Sequence, residues 1–559
     1  MRPRLVLTIA LILALGTPAY AQAPRSGGEL VFVVGSESPT YDAHREETFG
    51  LIHPAAPHYS TLLRVDPTDT AGTKVVGDLA ESWVVSKDGL TYAFKIRRGV
   101  KFHDGSPLTS RDVKASYDKI LNPPPGLTSP RKGQYAVVEA LEASDAETVI
   151  VRLKHPSAGF LSGLASPWNW IYKADILAKD PHWYEKNVLG TGPFTFVEHV
   201  KGWHWVGKKF ADYWDRGRPY LAGYRAIFVP NTAARIAAVR GERALIEFRA
   251  FNPSARDALV GALGSRITVK ESPWDCALWV VPHHEKKPWD DPRARRALTL
   301  AVDRWSGSKA LSRITIVKEV GGVQVPDTTY AASEAELGRL AGFGRDLEAS
   351  RAEARRLLRE ANVPDGFAFV LNNRNLPEPY EPLAIWLVDQ WKKIGLNATV
   401  RVLESAAWFH ALRSGDFEVS MDGQCGYIVE PDLDLYKFLS ADRTDASYGR
   451  FTDRALDALY DRQARARDVD ERRRIIRDFE KPARRAGARR PHALVAPHRP
   501  VPCPRARIHH HTEPFPQRPA RHDLAGGVTP CASRSPSRSS SSPWRHRRRP
   551  RRGRARAAS

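Results

Sequence analysis

The sequence predicts an α/β protein that is built from more than one domain. Helix-like and strand-like segments alternate between residues 350 and 421, whereas residues 83–121 contain a β-hairpin pattern followed by a helix pattern. The chain has 559 residues and 42% hydrophobic content, which is enough to fill two or three domain cores. We therefore expect a folded protein over most of this length.

The first 21 residues have the pattern of a secretory signal peptide. Two arginines precede an apolar run at residues 5–15, and the segment ends in the small-x-small triplet AYA at residues 19–21. The apolar run is shorter than the roughly 20 residues that an uncleaved membrane anchor needs. We therefore expect cleavage after Ala21 and export of a soluble protein to the periplasm.

Residues 83–121 are predicted to form a hairpin and a capped helix. Apolar side chains alternate on both sides of Asp88-Gly89, a dipeptide that is typical of a tight hairpin turn. Farther on, Thr109 and Asp112 have the spacing of a capping box, and apolar residues then recur at helical spacing. This stretch contains no catalytic motif, so it is interpreted as scaffold.

The segment from residue 350 to residue 421 alternates predicted helices and strands. We expect Ser350 and Glu353 to cap its first helix. Strands are predicted at GFAFVLN, NATVRVL and DFEVSM, and the helices between them at PLAIWLVDQWKKIG and SAAWFHALRSG. Strands that are separated by single helices at this spacing form a parallel or mixed sheet, so this half is predicted to be an α/β lobe.

The net charge of +22 belongs mainly to the end of the chain. Residues 482–559 contain 19 arginines, no lysine and two acidic residues, so they carry 17 of the 22 net positive charges. They also hold 13 prolines and show no hydrophobic periodicity, a composition that does not fold alone. One interpretation is an arm that binds nucleic acid or an anionic surface. The favoured interpretation is a change of reading frame near Lys481, because out-of-frame translation of GC-rich DNA yields Arg, Pro, Ala and Ser without Lys.

Four separated motifs of the sequence resemble one known family. They occur in the order LAESWVVSKDGLTYAFKIRRGVKFHDGSPLTSRDV, GTGPFTF, KKPWDDPRARRALTLAVDR and FEVSMDGQCGYIVEPDLDLYKF. All four are similar to segments of the extracellular solute-binding proteins of ABC importers, family 5, which include oligopeptide-, dipeptide- and nickel-binding proteins. The resemblance covers about residues 29–481. It implies a two-lobed periplasmic-binding-protein fold of the class II type, with an extra small α+β domain inserted in the first lobe.

The resemblance also implies how the chain is divided into domains. The first lobe would consist of residues 22–60 and 185–270, the inserted small domain of residues 61–184, and the second lobe of residues 275–481. In the family, the chain then returns to complete the first lobe. This sequence has the Arg/Pro-rich segment 482–559 at that place.

The resemblance implies a periplasmic receptor of an ABC importer. Such a receptor captures a peptide, or a peptide-like or opine-like solute, between two lobes that close by hinge motion, and it delivers the solute to a permease in the inner membrane. An alternative is a receptor for a non-peptide solute, such as a nickel complex or a sugar derivative. A further alternative is a cleft-based hydrolase on the same fold. We expect no cofactor, no metal and no nucleic-acid partner, and a monomer.

Two cysteines match positions where peptide-binding relatives carry the halves of a disulfide. They are Cys276, at the start of the implied second lobe, and Cys425, in GQCGY. A bridge between them would close a loop of about 150 residues. Two buried free thiols are the alternative.

The resemblance implies two ligand-binding residues, and three further residues are candidates for the same cleft. Tyr427 stands where peptide-binding relatives carry an aspartate that pairs with the α-amino group of the ligand. A free N-terminus would thus lose its main anchor, which favours an N-blocked or opine-like solute. Trp408 matches a tryptophan that lines the cleft in relatives; Trp168 and Trp279 could also line it, and Glu37 could reach it as a secondary polar contact. For the tryptophans the alternative is packing in a core, and for Glu37 it is solvation.

The sequence lacks the common catalytic motifs. It contains no G-x-S-x-G, no phosphate-binding G-x-x-x-x-G-K-[ST], no H-E-x-x-H, no C-x-x-C and no G-x-G-x-x-G. Asp290 and Asp291 open a predicted helix, where capping explains them. His283-His284 has no third metal ligand at a suitable spacing. We therefore expect a binding protein rather than an enzyme.

Overall fold

Three larger β-sheets organise the protein. The structure is a computed structural model that describes residues 24–69, 72–248, 251–271, 276–317, 319–481 and 494–495. The predicted signal peptide at residues 1–21 lies outside the described residues, as does the segment 482–559 apart from its residues 494–495. None of the helices in the described ranges has the length and apolar character that crossing a bilayer requires.

The described chain opens with a buried strand and a short helix. In order, its first elements are β1 (Glu29–Val34), α1 (Phe49–Ala55), β2 (Leu63–Val65) and β3 (Val75–Gly77). The side chain of Thr48 caps α1 by accepting a hydrogen bond from the backbone nitrogen of Gly50. β2 and β3 form a small antiparallel sheet of their own.

A four-stranded antiparallel sheet with a covering helix follows. Its elements are β4 (Ala80–Val85), β5 (Thr91–Ile96), α2 (Ser110–Leu121), β6 (Val138–Ala143), β7 (Thr148–Leu153), α3 (Phe160–Leu164) and α4 (Ala174–Lys179), with the strand order β4-β5-β7-β6. The predicted hairpin is confirmed, because β4 and β5 pair across the turn at Asp88-Gly89, where the glycine has a φ of 76°. The capping box is also confirmed: the carboxylate of Asp112 accepts a hydrogen bond of 2.7 Å from the backbone nitrogen of Thr109.

The next elements complete a five-stranded sheet around β1. They are β8 (Phe194–Val200), β9 (His204–Lys209), β10 (Gly223–Phe228), α5 (Thr232–Arg240), β11 (Ile246–Glu247) and α6 (Pro253–Leu263). The strand order is β11-β1-β10-β9-β8, with β1 parallel to both of its neighbours and the remaining pairs antiparallel. Residues far apart in the chain therefore share one core, as in the stacked rings of Phe32 and Tyr224, whose centroids are 5.9 Å apart.

The second half of the chain contains most of the helices. Its elements are β12 (Cys276–Pro282), α7 (Pro292–Leu300), α8 (Arg304–Leu311), β13 (Glu319–Val320), α9 (Glu334–Gly338), α10 (Leu347–Glu360), β14 (Phe367–Arg374), α11 (Tyr380–Lys392), β15 (Leu396–Leu403), α12 (Ser405–Ser414), β16 (Val419–Cys425), α13 (Pro431–Leu435), α14 (Arg454–Arg465), α15 (Val469–Glu480) and β17 (Leu494–Val495). The backbones of β13 and β17 pair antiparallel.

The mixed sheet that the sequence predicts in this half is confirmed. Its strand order is β12-β16-β14-β15, in which β14 is parallel to β15 and to β16, and β12 is antiparallel to β16. Helices α7, α10, α11 and α12 supply the apolar side chains that pack against it, among them Leu298, Leu357, Trp391 and Leu412. As expected, Asp291 caps α7, since its Oδ1 accepts a hydrogen bond of 2.7 Å from the backbone nitrogen of Arg293.

One helix cap differs from the sequence-based expectation. α10 is capped by Asp346, whose Oδ1 accepts a hydrogen bond of 2.9 Å from the backbone nitrogen of Ala349. The prediction that Ser350 and Glu353 cap this helix is therefore wrong. Ser350 lies within the helix and donates its hydroxyl to the carbonyl oxygen of Asp346 at 2.8 Å. The first turn of α10 contains mainly polar residues, and apolar residues recur at helical spacing only farther along. The apolar pattern therefore does not show at which residue the helix begins.

One strand is shifted for a reason that local sequence does not contain. The strand predicted at DFEVSM runs from Val419 to Cys425, three residues later at its start and four at its end. β16 pairs along its whole length with β12, which lies more than 130 residues earlier in the chain. This long-range pairing carries the strand through Gly423, a residue that local propensity disfavours in strands.

Candidate functional site

A cavity of about 70 Å³ lies between the mixed sheet of the second half and the elements that precede it in the chain. We call it the cleft cavity. Its walls include Glu47, Arg131 and Trp168 from the first half and Arg374, Trp408 and Tyr427 from the second half. Sites for small organic ligands usually measure about 300–1,000 Å³, so the two walls must move apart to admit a peptide-sized solute.

Three of the five predicted ligand-binding residues line the cleft cavity. They are Tyr427, Trp408 and Trp168. Glu37 and Trp279 do not line it. The structure thus brings together residues from three separate parts of the sequence and leaves two of the predicted residues elsewhere.

Glu37 is engaged within the five-stranded sheet region. Its carboxylate accepts a hydrogen bond of 2.8 Å from the backbone nitrogen of Gly202 and lies 2.8 Å from Nε2 of His199. Both partners belong to the hairpin of β8 and β9. The carboxylate therefore holds this hairpin against the loop after β1.

Trp279 packs in a core of the second half. It is 6% exposed, its Nε1 donates a hydrogen bond of 3.0 Å to Oδ2 of Asp422, and its ring lies 5.2 Å from that of Phe438. It borders a separate, smaller cavity of about 30 Å³. The position of Trp279 in the structure thus agrees with the alternative that this tryptophan packs in a core.

Trp408 forms part of a core and part of the cavity wall at the same time. It lies on α12, is 1% exposed and makes an edge contact with the ring of Tyr380 at 5.9 Å. Its Nε1 has no hydrogen-bond partner among the described residues. A buried N–H group without an acceptor is costly, so this position favours a ligand that brings one.

The hydroxyl group of Tyr427 acts as a hydrogen-bond donor. The group is 3.3 Å from the backbone oxygens of both Ser162 and Gly163, to which it donates. Burial raises the pKa of Tyr427 well above its ordinary value, so the phenol stays protonated at neutral pH. The side chain therefore connects the loop after β16 to α3 and offers no negative charge to a ligand.

A disulfide borders the cavity. Cys276 and Cys425 are direct partners in the antiparallel pairing of β12 and β16, and their sulfur atoms are 1.99 Å apart. The bond joins the first residue of one strand to the last residue of the other. It therefore fixes the edge of the mixed sheet at the point where the sheet meets the cavity.

Glu47 is a cavity residue that sequence reasoning missed. Its carboxylate accepts hydrogen bonds from Tyr436 at 3.0 Å and Tyr448 at 2.9 Å and lies 3.9 Å from Nζ of Lys437. Burial alone would raise the pKa of Glu47, but Lys437, Arg131 and the two hydroxyl bonds together lower it. Glu47 is therefore an anion whose partners are already in place.

Two buried arginines were also missed. Arg374 lies at the carboxyl end of β14, a place where α/β sheets commonly bind ligands, so its position after a predicted strand was a usable signal. Arg131 lies in the loop PPPGLTSPRKGQY, which has no pattern that distinguishes it. Both are less than 5% exposed.

Glu46 lies beside this site and is a buried acid with an altered pKa. It is 2% exposed, and its Oε2 has no hydrogen-bond partner among the described residues. Burial raises the pKa of Glu46 to about 7, against the lowering influence of Arg413 and Arg374. In the unfolded chain the same carboxyl titrates near its ordinary value of 4.5.

This difference predicts a pH-dependent stability that the variant Glu46→Gln removes. Between pH 4.5 and 7 the unfolded state has lost this proton while the folded state still holds it, so stability falls as pH rises. We expect the free energy of unfolding of Glu46→Gln to match that of the unaltered protein near pH 4. The variant should be more stable by about 3 kcal/mol above pH 7. Urea denaturation of both proteins from pH 4 to 8 measures this, and a difference that stays constant with pH would contradict it.

The described ranges contain no cluster of three His, Cys, Asp or Glu side chains that could hold a metal ion. The groups that face the cleft cavity include aromatic rings, guanidinium groups, amides and the carboxylate of Glu47. Such a wall can bind a solute by hydrogen bonds, ion pairs and ring stacking.

Comparison with known proteins shows sequence similarity over most of the chain. Residues 74–446 match the family described as bacterial extracellular solute-binding proteins, family 5. A glutathione-binding protein of Salmonella choleraesuis is 28% identical over 404 residues, which cover 70% of this chain and 73% of that protein.

Two solved structures have the same fold. The periplasmic binding protein DppA of Helicobacter pylori, in complex with the peptide STSA, superposes with a TM-score of 0.71 at 22% identity, over 84% of this chain and 93% of that one. The binding protein AgaA of A. tumefaciens R10, in complex with agropinic acid, superposes with a TM-score of 0.71 at 23% identity, over 84% and 92%. The predicted two-lobed α/β fold is thereby confirmed.

Proposed function

Because this chain belongs to family 5 of the bacterial extracellular solute-binding proteins, we propose that it is the periplasmic receptor of an ABC importer. It captures a peptide, or a peptide-like or opine-like solute, between its two lobes and delivers the solute to a permease in the inner membrane. Members of this family are binding proteins, and the proposed role includes no chemical conversion of the solute.

The cleft cavity is the observation that carries this proposal. Its two walls touch through separate polar contacts: Glu47 accepts the hydroxyls of Tyr436 and Tyr448, and Arg374 donates a hydrogen bond of 2.8 Å to Oγ1 of Thr48. Contacts of this kind can break and re-form as lobes open and close. Closure then buries a solute among Trp168, Trp408 and the arginines.

The proposed domains follow the division that the family resemblance implies. The first lobe consists of residues 22–60 and 185–270, the inserted domain of residues 61–184, and the second lobe of residues 275–481. The five-stranded sheet, the four-stranded antiparallel sheet and the mixed sheet are the respective centres of these three domains. In this arrangement the first lobe contributes Glu47 to the cavity, and the inserted domain contributes Arg131 and Trp168.

The proposed location and partners complete the role. Residues 1–21 direct export and are removed after Ala21, and the mature protein acts as a monomer in the periplasm. The closed form docks on the permease. The glutathione-, peptide- and agropinic-acid-binding proteins described above support a peptide-like solute, because glutathione and agropinic acid share amide and carboxylate groups with peptides.

The experiment that tests this function measures binding, closure and conversion together. The melting temperature of the purified protein is measured in the presence of each member of a panel of short peptides, glutathione and opines. Small-angle X-ray scattering then measures the compactness of the protein with and without each compound. We expect at least one compound to raise the melting temperature and to reduce the radius of gyration, and to be recovered unchanged. Recovery of a converted product, or stabilisation without closure, would contradict a transport receptor.

A matched pair of variants shows that the effect belongs to the cleft cavity. Trp408→Phe removes an indole N–H from its wall, whereas Glu37→Gln alters an acid outside it. We expect the first variant to weaken binding of the active compound and the second to leave it unchanged.

A further inference from the structure

We infer that the inserted domain acts as a clasp: it contacts the second lobe outside the cleft cavity, and this contact, made in the closed form, adds to the affinity for the solute. The inference rests on the proposed receptor function and on the proposed division into domains. It assigns a task to residues that do not line the cavity.

A group of hydrogen bonds joins the inserted domain to helices α13–α15 of the second lobe. Their residues, which we call the clasp residues, are Asp88, Ser157, Ala158, Asp432, Ala464 and Arg467. The backbone nitrogen of Ala158 donates to the backbone oxygen of Ala464 at 2.9 Å. Nη2 of Arg467 donates to the backbone oxygen of Asp88 at 2.7 Å. None of these six residues lines the cleft cavity.

The inserted domain and the second lobe have separate apolar cores. In the part of the chain that the structure describes, no hydrophobic cluster combines side chains of residues 61–184 with side chains of residues 275–481. Their contact is therefore largely polar, and water replaces hydrogen bonds of this kind at a small net cost. The two domains can separate without exposing a core.

The inserted domain is joined more firmly to the first lobe. Trp170 stacks on Tyr59 with 4.2 Å between the ring centroids, in a core that also contains Phe32 of β1. Lys119 of α2 forms a buried ion pair with Asp42. Separating these groups would expose apolar surface and break a buried pair, so the inserted domain moves with the first lobe. Opening of the cleft therefore breaks the clasp.

The second-lobe side of the clasp is held by its own partners. Oδ1 of Asp432 accepts hydrogen bonds from Gln463 at 2.6 Å and from Arg472 at 3.0 Å, and Arg472 also bonds to the carboxylate of Glu430. Both acids are less than 10% exposed. The other carboxylate oxygen of Asp432 lies 3.5 Å from the hydroxyl of Ser157. The inserted domain thus closes on a surface that is already ordered.

Gly159 lies very close to this acidic pair. A Cβ atom at Gly159 would lie 2.6 Å from Oδ2 of Asp432 and 2.9 Å from Oε1 of Glu430, which is closer than a Cβ atom can approach. Gly159 has φ −90° and ψ 0°, a conformation that alanine also adopts. The requirement for glycine therefore comes from the second lobe and not from the backbone of the inserted domain. An alanine fits the open form and obstructs the closed one.

A contact of this kind changes affinity without touching the solute. The solute is held in the closed form, so every interaction that is made only in that form adds to the free energy of binding. The same interactions favour closure of the solute-free protein. Loss of the clasp should therefore weaken binding and shift the solute-free protein towards the open form.

The first variant is Gly159→Ala, and Gly261→Ala is its matched control, because a Cβ atom at Gly261 meets no atom within 4 Å. Calorimetric titration of the full-length protein uses glutathione, the peptide STSA and agropinic acid as probes. For each probe that binds, we expect Gly159→Ala to weaken binding by about tenfold or more and Gly261→Ala to change it by less than about twofold. Small-angle X-ray scattering of the solute-free proteins should give a larger radius of gyration for Gly159→Ala than for the unaltered protein.

The outcomes separate the clasp from the receptor function. Unchanged affinity of Gly159→Ala for a probe that binds the unaltered protein would overturn the clasp and leave the receptor function standing. A lower melting temperature with unchanged affinity and radius of gyration would make Gly159 a packing residue only. If no probe binds, the proposed solute class fails, and the scattering comparison decides: equal radii of gyration overturn the clasp.

A second pair of variants tests the clasp without adding atoms to it. Arg467→Ala removes the donor to Asp88, and its control is Arg465→Ala; both arginines are exposed, so neither change alters a core. We expect Arg467→Ala to weaken binding of the same probes by about twofold to fivefold and to increase the radius of gyration of the solute-free protein, with no change for Arg465→Ala. Equal affinities and equal radii of gyration of the two arginine variants would overturn the clasp.

Discussion

Replacing both Cys276 and Cys425 by alanine should lower the free energy of unfolding by about 4–5 kcal/mol. The two residues are 149 positions apart, so the disulfide closes a very long loop and lowers the conformational entropy of the unfolded chain by the corresponding loop-closure term. Urea denaturation of the oxidised protein and of the double variant measures this difference.

The same experiment with a reducing agent provides the control. Reduction should lower the stability of the unaltered protein to nearly that of the double variant and should leave the variant unchanged. A thiol assay supports the comparison, because the native protein should release the two thiols only after reduction. If the oxidised protein and the double variant unfold at the same urea concentration, the bond does not contribute to stability as expected.

The second large effect concerns a buried ion-pair network near the start of α15. Arg472 is 4% exposed and bonds to the carboxylate of Glu430, to Oδ1 of Asp432 at 3.0 Å and to Oε1 of Gln463 at 3.1 Å. Arg472→Met should lower the free energy of unfolding by about 3–5 kcal/mol, because it leaves two buried carboxylates without their cation. Urea denaturation at neutral pH measures this loss.

The pH dependence of this loss tests its cause. Burial raises the pKa of Glu430 even while Arg472 lowers it, so removal of the arginine should raise it further. A carboxyl whose pKa is higher in the folded state than in the unfolded state costs more stability as pH rises. The deficit of Arg472→Met should therefore be larger at pH 8 than at pH 5.

Two comparison variants complete the design. Arg473, the next residue, pairs with Asp470 on the surface with 41% of its side chain exposed, so Arg473→Met should cost less than about 1 kcal/mol. Adding Glu430→Gln and Asp432→Asn to Arg472→Met should recover part of the loss, because the buried charges are then gone. A loss for Arg472→Met that is independent of pH and is not relieved by these additions would point to lost packing instead.

Much of the fold was predictable because its signals are local. The turn at Asp88-Gly89 and the capping box of Thr109 and Asp112 are specified by neighbouring residues, and both are present in the structure. The same holds for the alternating helices and strands between residues 350 and 421, apart from the helix cap at Asp346 and the bounds of β16. The spacing of apolar residues within a helix or strand indicates which of its faces is buried.

The candidate site was only partly predictable. Tyr427, Trp408 and Trp168 lie on the cavity wall, but Glu37 and Trp279 face other partners, the hairpin of β8 and β9 and a core beside Asp422. A sequence motif identifies the segment that reaches a site. It does not determine which way each side chain points once distant segments pack together.

The sequence by itself determined the α/β elements, the hairpin, the caps of α2 and α7 and the likeness to solute-binding proteins, because each of these depends on residues that are close together in the chain. Only the tertiary structure decided the charge of the cleft cavity. Glu47, Arg131 and Arg374 come from three distant segments and meet on its walls. Whether a buried arginine has a counterion depends on which groups of other segments lie within a few ångströms, and that distance is set by the packing of whole domains.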